Sequence, residues 1–238
     1  MRRVNDARRA ALTALIDHAP LFPPASLTVP DAIEEDRRAR KDEHEWLLAR
    51  LVWPASQLDA VEGEDRALSV LLDGPFEGDL RAEAIETRWG DQLLNLIGEV
   101  YVELPLGDGL EERMGLLAER GYRAKVRCGG ERVPTAAELG RFIRACRAAD
   151  VPFKATAGLH HPLAAEGRHG FLNVLAACAF EDEGALVGDV ELDATALRWN
   201  GREAGAEELA RVRREQLAAV GSCSFFAPVD DLRQLGVL

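Results

Sequence analysis

The chain has 238 residues, 47% of them hydrophobic and 29% charged, with a formal net charge of -12 at pH 7. That length and composition suit one compact domain, and residues 1–238 are read as a single unit. The acidic balance, with basic residues dispersed among acidic ones, argues against nucleic acid as a partner, and no apolar run approaches the about 20 residues needed to cross a membrane.

Met1 to Ala19 carries Arg2, Arg3, Arg8 and Arg9, interrupted by Asp6 and Asp17, and reads as an amphipathic N-terminal helix rather than a secretion signal. Further along, apolar runs and breakers predict strands over 21–23, 47–53, 68–72, 83–86, 100–104, 124–127, 152–156 and 222–226. Helical patterns fall between most of them, over 30–40, 90–96, 110–120, 136–149, 170–180 and 206–219. Strand followed by helix, repeated about eight times, is the pattern of a parallel sheet with helical crossovers. The expected fold is therefore α/β, a (β/α)8 TIM-type barrel with an N-terminal helix. Short connections after Leu72 and Glu86 point to an irregular barrel or an open doubly wound sheet. The clearest unit lies between 110 and 156, where Thr135 and Glu138 form a capping box for the helix between two strands. Cys128, Cys146, Cys178 and Cys223 are widely spaced with no C-x-x-C pair, which fits reduced thiols in the cytoplasm.

Alternation along a strand puts Lys125 and Arg127 on one face, and Lys154 with Thr156 on the matching face of the next strand. Tyr101 and Glu103, and Glu86 before them, follow the same parity. In a barrel these residues face the interior near the C-terminal mouth, where such folds hold their active sites. Only three of the 29 basic residues are lysines (Lys41, Lys125 and Lys154), leaving 26 arginines. Two scarce lysines thus take matching places on adjacent strands, and lysine, unlike arginine, becomes a nucleophile once it loses its proton. The plain structural alternative is two ion pairs, Lys125 with Glu103 and Lys154 with Glu86 or another acid.

After the second lysine strand come His160 and His161, suited to proton transfer, a metal or an anion; the simpler case leaves one of them solvated. Arg168-His169-Gly170 before a helix, Gly129-Gly130, and Ser222 and Ser224 near the end of the last strand supply groups suited to an anion such as phosphate.

Lys125-Val126-Arg127-Cys128-Gly129-Gly130 and Lys154-Ala155-Thr156-Ala157-Gly158-Leu159 resemble the two lysine strands of the deoxyribose-phosphate aldolase type of class I aldolase. The resemblance implies a Schiff base on Lys125, with Lys154 lowering its pKa, and no cofactor. It is confined to these two strands, where the family's serine and threonine residues after the first lysine and its second glycine after the other are missing. Arg127 and the His160-His161 pair have no counterpart in that motif. The stretch through Leu159-His160-His161-Pro162 is also similar to bacterial proteins with no assigned reaction.

A second layout places Asp73, Glu86 and Glu103 at the ends of three successive strands, as in enolase-like barrels that bind Mg²⁺, with Lys125 or Lys154 as the base. Asp73-Gly74-Pro75 is also a good turn by itself. A third reading is a non-enzymatic ligand-binding or scaffold barrel. The expectation carried forward is an aldolase or lyase-like enzyme for a small anionic carbonyl compound, compatible with a homo-oligomer. Lys125 acts as nucleophile or base, Lys154 tunes it and Glu103 handles protons. Arg127, Thr156, Glu86, His160, His161, Ser222 and Ser224 surround the substrate.

Overall fold

The computed structural model describes residues 5–74, 82–90 and 96–238. The first elements are α1 (Ala7–Leu12), β1 (Ile16–His18), α2 (Val29–Ala39), β2 (Leu48–Pro54), β3 (Leu68–Leu71), β4 (Ala84–Arg88) and β5 (Glu99–Glu103). After them come α3 (Leu110–Arg120), β6 (Arg123–Arg127), α4 (Ala136–Ala148), β7 (Phe153–Thr156) and α5 (Phe171–Phe180). The chain then forms β8 (Val190–Leu192), β9 (Ala196–Trp199), β10 (Arg202–Gly205), α6 (Ala206–Glu215), β11 (Leu217–Ser222) and α7 (Phe226–Gln234). Strands β1 to β7 and β11 close into an eight-stranded, all-parallel barrel in which β1 pairs with β11 on one side and β2 on the other. This is the (β/α)8 TIM-type architecture expected from the alternating pattern.

The crossovers are uneven. Helices follow β1, β5, β6 and β7, whereas β2 leads to β3 through 3₁₀ turns over 55–61. The helix expected over 90–96 lies mostly outside the described residues. α4 illustrates how sequence sets a crossover: the Thr135 hydroxyl accepts from the Glu138 amide, and the Glu138 carboxylate accepts from the Thr135 amide at 2.8 Å. Its apolar stripe, Leu139, Phe142, Ile143 and Cys146, repeats at helical spacing and is buried. Phe142 meets Phe153 of β7 edge to face at 5.4 Å between ring centroids, and burying one such ring contributes about 1.5–3 kcal/mol.

Four sequence expectations need correction. The N-terminal helix is only six residues long within the described chain, and Ile16–His18 is the first barrel strand. Residues 21–23 form a turn instead, since Pro20, Pro23 and Pro24 have no N–H to offer a ladder. The last helix before the final strand ends at Glu215, and Leu217–Ser222 is strand; a short apolar run such as 217–220 looks alike in a buried strand and a buried helix. Phe226, expected at the end of that strand, begins α7.

The sequence reading also missed the antiparallel sheet β8–β9–β10. Its β9–β10 hairpin turns at Asn200-Gly201, both with positive φ (48° and 73°), the backbone that a two-residue loop requires. This sheet packs on α5, which explains why all ten residues of that helix are buried.

The main apolar core lies between the barrel wall and the helices: Val100, Val102, Ala124, Val126, Phe153 and Ala155 point outward into it. The residues between them on the same strands point inward, and that interior is polar.

Candidate functional site

The interior begins at β1, where Asp17 is fully buried and accepts the Arg50 amide at 3.0 Å. Lys154, on β7, places its Nζ 2.5 Å from Asp17 Oδ2 and also against Glu86 Oε1. Glu86, on β4, accepts the Ser69 hydroxyl at 2.7 Å and binds Lys125 Nζ through Oε2 at 2.9 Å. Lys125 in turn lies 3.2 Å from Glu103 Oε2. One chain of alternating charge therefore crosses the barrel: Asp17, Lys154, Glu86, Lys125, Glu103. Lys125 and Lys154 are direct partners in the β6–β7 register, as strand parity required.

Below this chain, toward the N-terminal end, Arg50 and Arg123 share Glu99 at 2.9 Å each. Tyr101 donates its hydroxyl to Glu99 at 2.7 Å and accepts from Arg123 at 2.9 Å. Burial, reinforced by Glu99, pushes the Tyr101 phenol up to about 12 despite the Arg123 charge.

Electrostatics fix the protonation of the deep part. Burial alone would raise Glu86, but the charges of Lys125 and Lys154, with hydrogen bonds from Lys154 and Ser69, hold it well below the usual carboxylate range. Burial alone would likewise lower Lys154, but Asp17 and Glu86 outweigh it and hold this ammonium above the usual range. This changes the role expected for Lys154. Its charge is spent on two carboxylates and its side chain is 0% exposed, so it anchors Glu86 and does not act as a bare cation on Lys125.

At the C-terminal end the chain opens. Glu103 lines a cavity of about 560 Å³ together with Arg88, Trp89, Leu106, Arg127 and Pro134. Arg88 pairs in register with Glu103 on β4–β5, and Arg127 with Thr156 on β6–β7. Among the described arginines, Arg88 and Arg127 alone have no hydrogen bond, ion pair or ring contact, and both face this cavity. The loops behind it are locked together. A Cβ on Gly129 would lie 2.9 Å from the Gly158 Cα, so only glycine permits that approach, and His169 donates Nε2–H to Pro134 O at 2.8 Å. His169 is thus a tie between loops rather than the anion contact expected of it.

The other predicted residues lie outside the cavity wall. The Thr156 hydroxyl donates to Val126 O at 3.3 Å. His160 sits 3.3 Å from Ser222 Oγ and 3.5 Å from Cys223 Sγ, and burial lowers its pKa. His161 diverges from it, pairing at the surface with Asp231 at 2.6 Å. Ser222 donates to Ser224 O at 2.7 Å, and Ser224 Oγ accepts the Ala227 amide at 3.4 Å. Glu35 and Asp36 hold the fully buried His18 at 3.3 and 3.2 Å.

Asp73 does not join Glu86 and Glu103. It accepts the Ser56 amide at 3.0 Å and the Ser56 hydroxyl, which makes it a turn cap. Among the described residues no three His, Cys, Asp or Glu side chains form a metal-holding group, and none of the helices is long and apolar enough to cross a membrane.

Sequence reasoning missed Asp17, Ser69, Arg88 and Trp89. β4 extends to Arg88, two residues past the expected end at Glu86, and parity then puts Arg88 on the same face as Glu86. Comparison with protein-family models and with curated proteins finds no match for this chain.

Proposed function

We propose that the protein is a lyase-type enzyme for a small anionic carbonyl compound, with Lys125 as nucleophile, Glu103 as its proton acceptor, and Arg88 and Arg127 holding the negative group. The observation that carries this reading is that the two partnerless arginines flank the carboxylate on which the interior ion chain ends. A positive rim is suited to drawing an anion's carbonyl to Glu103, behind which Lys125 lies at 3.2 Å.

In the reaction, Lys125 passes a proton to Glu103, and the amine lone pair adds to the carbonyl carbon. The carbonyl oxygen takes that proton from Glu103 and leaves as water after a second protonation, giving an iminium ion. The bond between the α and β carbons then breaks with its electron pair drawn toward the iminium to form an enamine, while the β-hydroxyl gives its proton to the Glu103 carboxylate and that fragment leaves as an aldehyde. Protonation of the enamine and hydrolysis return Lys125.

Borohydride reduction of the protein with glyoxylate, pyruvate or glycolaldehyde phosphate, followed by peptide mapping, tests the proposal. An adduct at Lys125 that is absent in Lys125→Arg supports it; labelling confined to Lys41 or the N-terminus overturns it.

A second reading draws on the two carboxylates that hold Lys125, at 2.9 and 3.2 Å. Lys125 then stays an ammonium that stabilises an enolate oxygen while Glu103 removes the neighbouring proton. Deuterium entering the α-carbon in heavy water without any borohydride adduct, and lost in Glu103→Gln, selects this reading over the first.

A further inference from the structure

The mouth cavity has two chemically different walls. Arg88, Arg127 and Glu103 stand at the strand ends, while the loops after β4 and β5 bring Trp89, Leu104 and Leu106 and the loop after β6 brings Pro134 together with Glu131 and Arg132, the latter engaged by Glu138. Trp89 is fixed against the charged wall, because its amide donates to Glu103 O at 2.9 Å and it directly follows Arg88. The Arg113 guanidinium lies 5.7 Å over its ring. At about 560 Å³ the cavity exceeds what a two- or three-carbon acid fills, given roughly 30 Å³ for each water-sized unit, and it falls in the range of ordinary small-molecule sites.

We propose that the ligand of this mouth is an aryl-substituted carboxylate, its anionic group on Arg88 and Arg127 and its ring against Trp89, Leu106 and Pro134. This rests on the reading of the mouth as the substrate site and names the substrate's class. An aromatic ring gains from burial against the apolar wall and from ring contact with Trp89. On the side formed by the loops after β4 and β5 a sugar's hydroxyls would meet Leu104 and Leu106, which offer no side-chain partner, and hydroxyls buried without partners are disfavoured. The segregation also orients the ligand, since the carboxylate end is directed to the strand ends and hence toward Glu103 and Lys125.

Calorimetric titration of the full chain with 3-phenylpropanoate, propanoate and 3-phenylpropan-1-ol tests this without any ligand carbonyl, so its outcome is independent of imine formation. The expected result is that 3-phenylpropanoate binds at least about tenfold more tightly than propanoate. That advantage is lost in Trp89→Ala and in Leu106→Asp and is largely kept in Trp89→Phe. In Arg88→Gln/Arg127→Gln, 3-phenylpropanoate falls to the affinity of the alcohol. Equal binding of 3-phenylpropanoate and propanoate, or an aryl advantage that survives both wall variants, overturns the proposal. Should Trp89→Ala lose its folded circular dichroism, Leu106→Asp and Trp89→Phe carry the comparison. Ring-dependent binding with no borohydride adduct at Lys125 keeps this inference and rejects the lysine chemistry; an adduct without ring-dependent binding does the reverse.

Discussion

Glu86→Gln removes the one negative charge between two buried ammonium groups while keeping the side chain's shape. Losing one partner from a buried ion pair costs about 3–5 kcal/mol. Here Lys154 keeps Asp17 at 2.5 Å and Lys125 keeps Glu103 at 3.2 Å, so the lower end applies, about 3 kcal/mol. For a chain of this size that corresponds to a drop in Tm of about 6–12 °C. The effect also has a pH signature. Glu86 ionises well below its ordinary value of 4.5 in the folded protein, so its contribution is fully present above that value and is lost as pH falls toward the folded pKa. The stability gap between parent and variant should be constant from about pH 5 to 8 and shrink by about 1.4 kcal/mol per pH unit below 4.5. Guanidinium unfolding at pH 7, 5 and 4 measures it. A gap under about 1 kcal/mol at pH 7, within the range of an exposed pair, would refute the picture of a tightly coupled interior chain.

Two further perturbations probe other parts of the polar framework. Burial would by itself lower His18, but Asp36 and Glu35 outweigh it and its pKa is raised above the ordinary 6.5. Its contribution is therefore complete below that value and is lost as pH rises through the folded pKa. The parent should lose stability between neutral and mildly alkaline pH with a slope that His18→Asn lacks, and parallel Tm-against-pH curves would contradict this. Tyr101 is one of only two tyrosines, and its phenol is held up to about 12. Ultraviolet titration at pH 11 should find the Tyr101 phenol still un-ionised in the folded parent. Tyr101→Phe should lose that latent fraction and about 1–3 kcal/mol of stability, because Arg123 and Glu99 each lose a buried partner; full tyrosine ionisation of the folded parent below pH 11 would count against the assignment.

The inner face of β5, β6 and β7 was legible in the sequence because parity is a covalent property of an extended chain. Once 99–103, 123–127 and 153–156 are strands, Glu103, Lys125 and Lys154 must share a side. The ion pairs Lys125–Glu103 and Lys154–Glu86, named from the sequence as the structural alternative, are both present. What could not be read was the second partner of each lysine, Glu86 for Lys125 and Asp17 of β1 for Lys154, because these contacts depend on barrel closure rather than on local pattern. Asp17 was hidden further by the shortness of β1, whose three residues were absorbed into an expected helix. The β9–β10 hairpin is different: Asn200-Gly201 is a direct turn signal, but the strands beside it are only four residues each and lie within the connection between two helical patterns.

The ion chain also explains why reactivity would gather at one end of the barrel. The backbone amide of Arg50 fixes Asp17, Asp17 fixes Lys154, and Lys154 with Ser69 fixes one oxygen of Glu86, leaving its other oxygen to hold Lys125. Among the described interior ion pairs, Asp17, Glu86, Glu99 and Glu103 balance Arg50, Arg123, Lys125 and Lys154. These pairs carry no net charge among themselves, whereas the rim has two arginines without partners. Side-chain exposure follows the same gradient, from 0% at Asp17 and Lys154 to 2% at Glu86, 6% at Lys125 and 17% at Glu103. Each link is held by the one deeper in the barrel, and only the last meets the cavity. A group held that firmly on its inner side and free on its outer side is positioned to exchange a proton with whatever the arginines bring beside it.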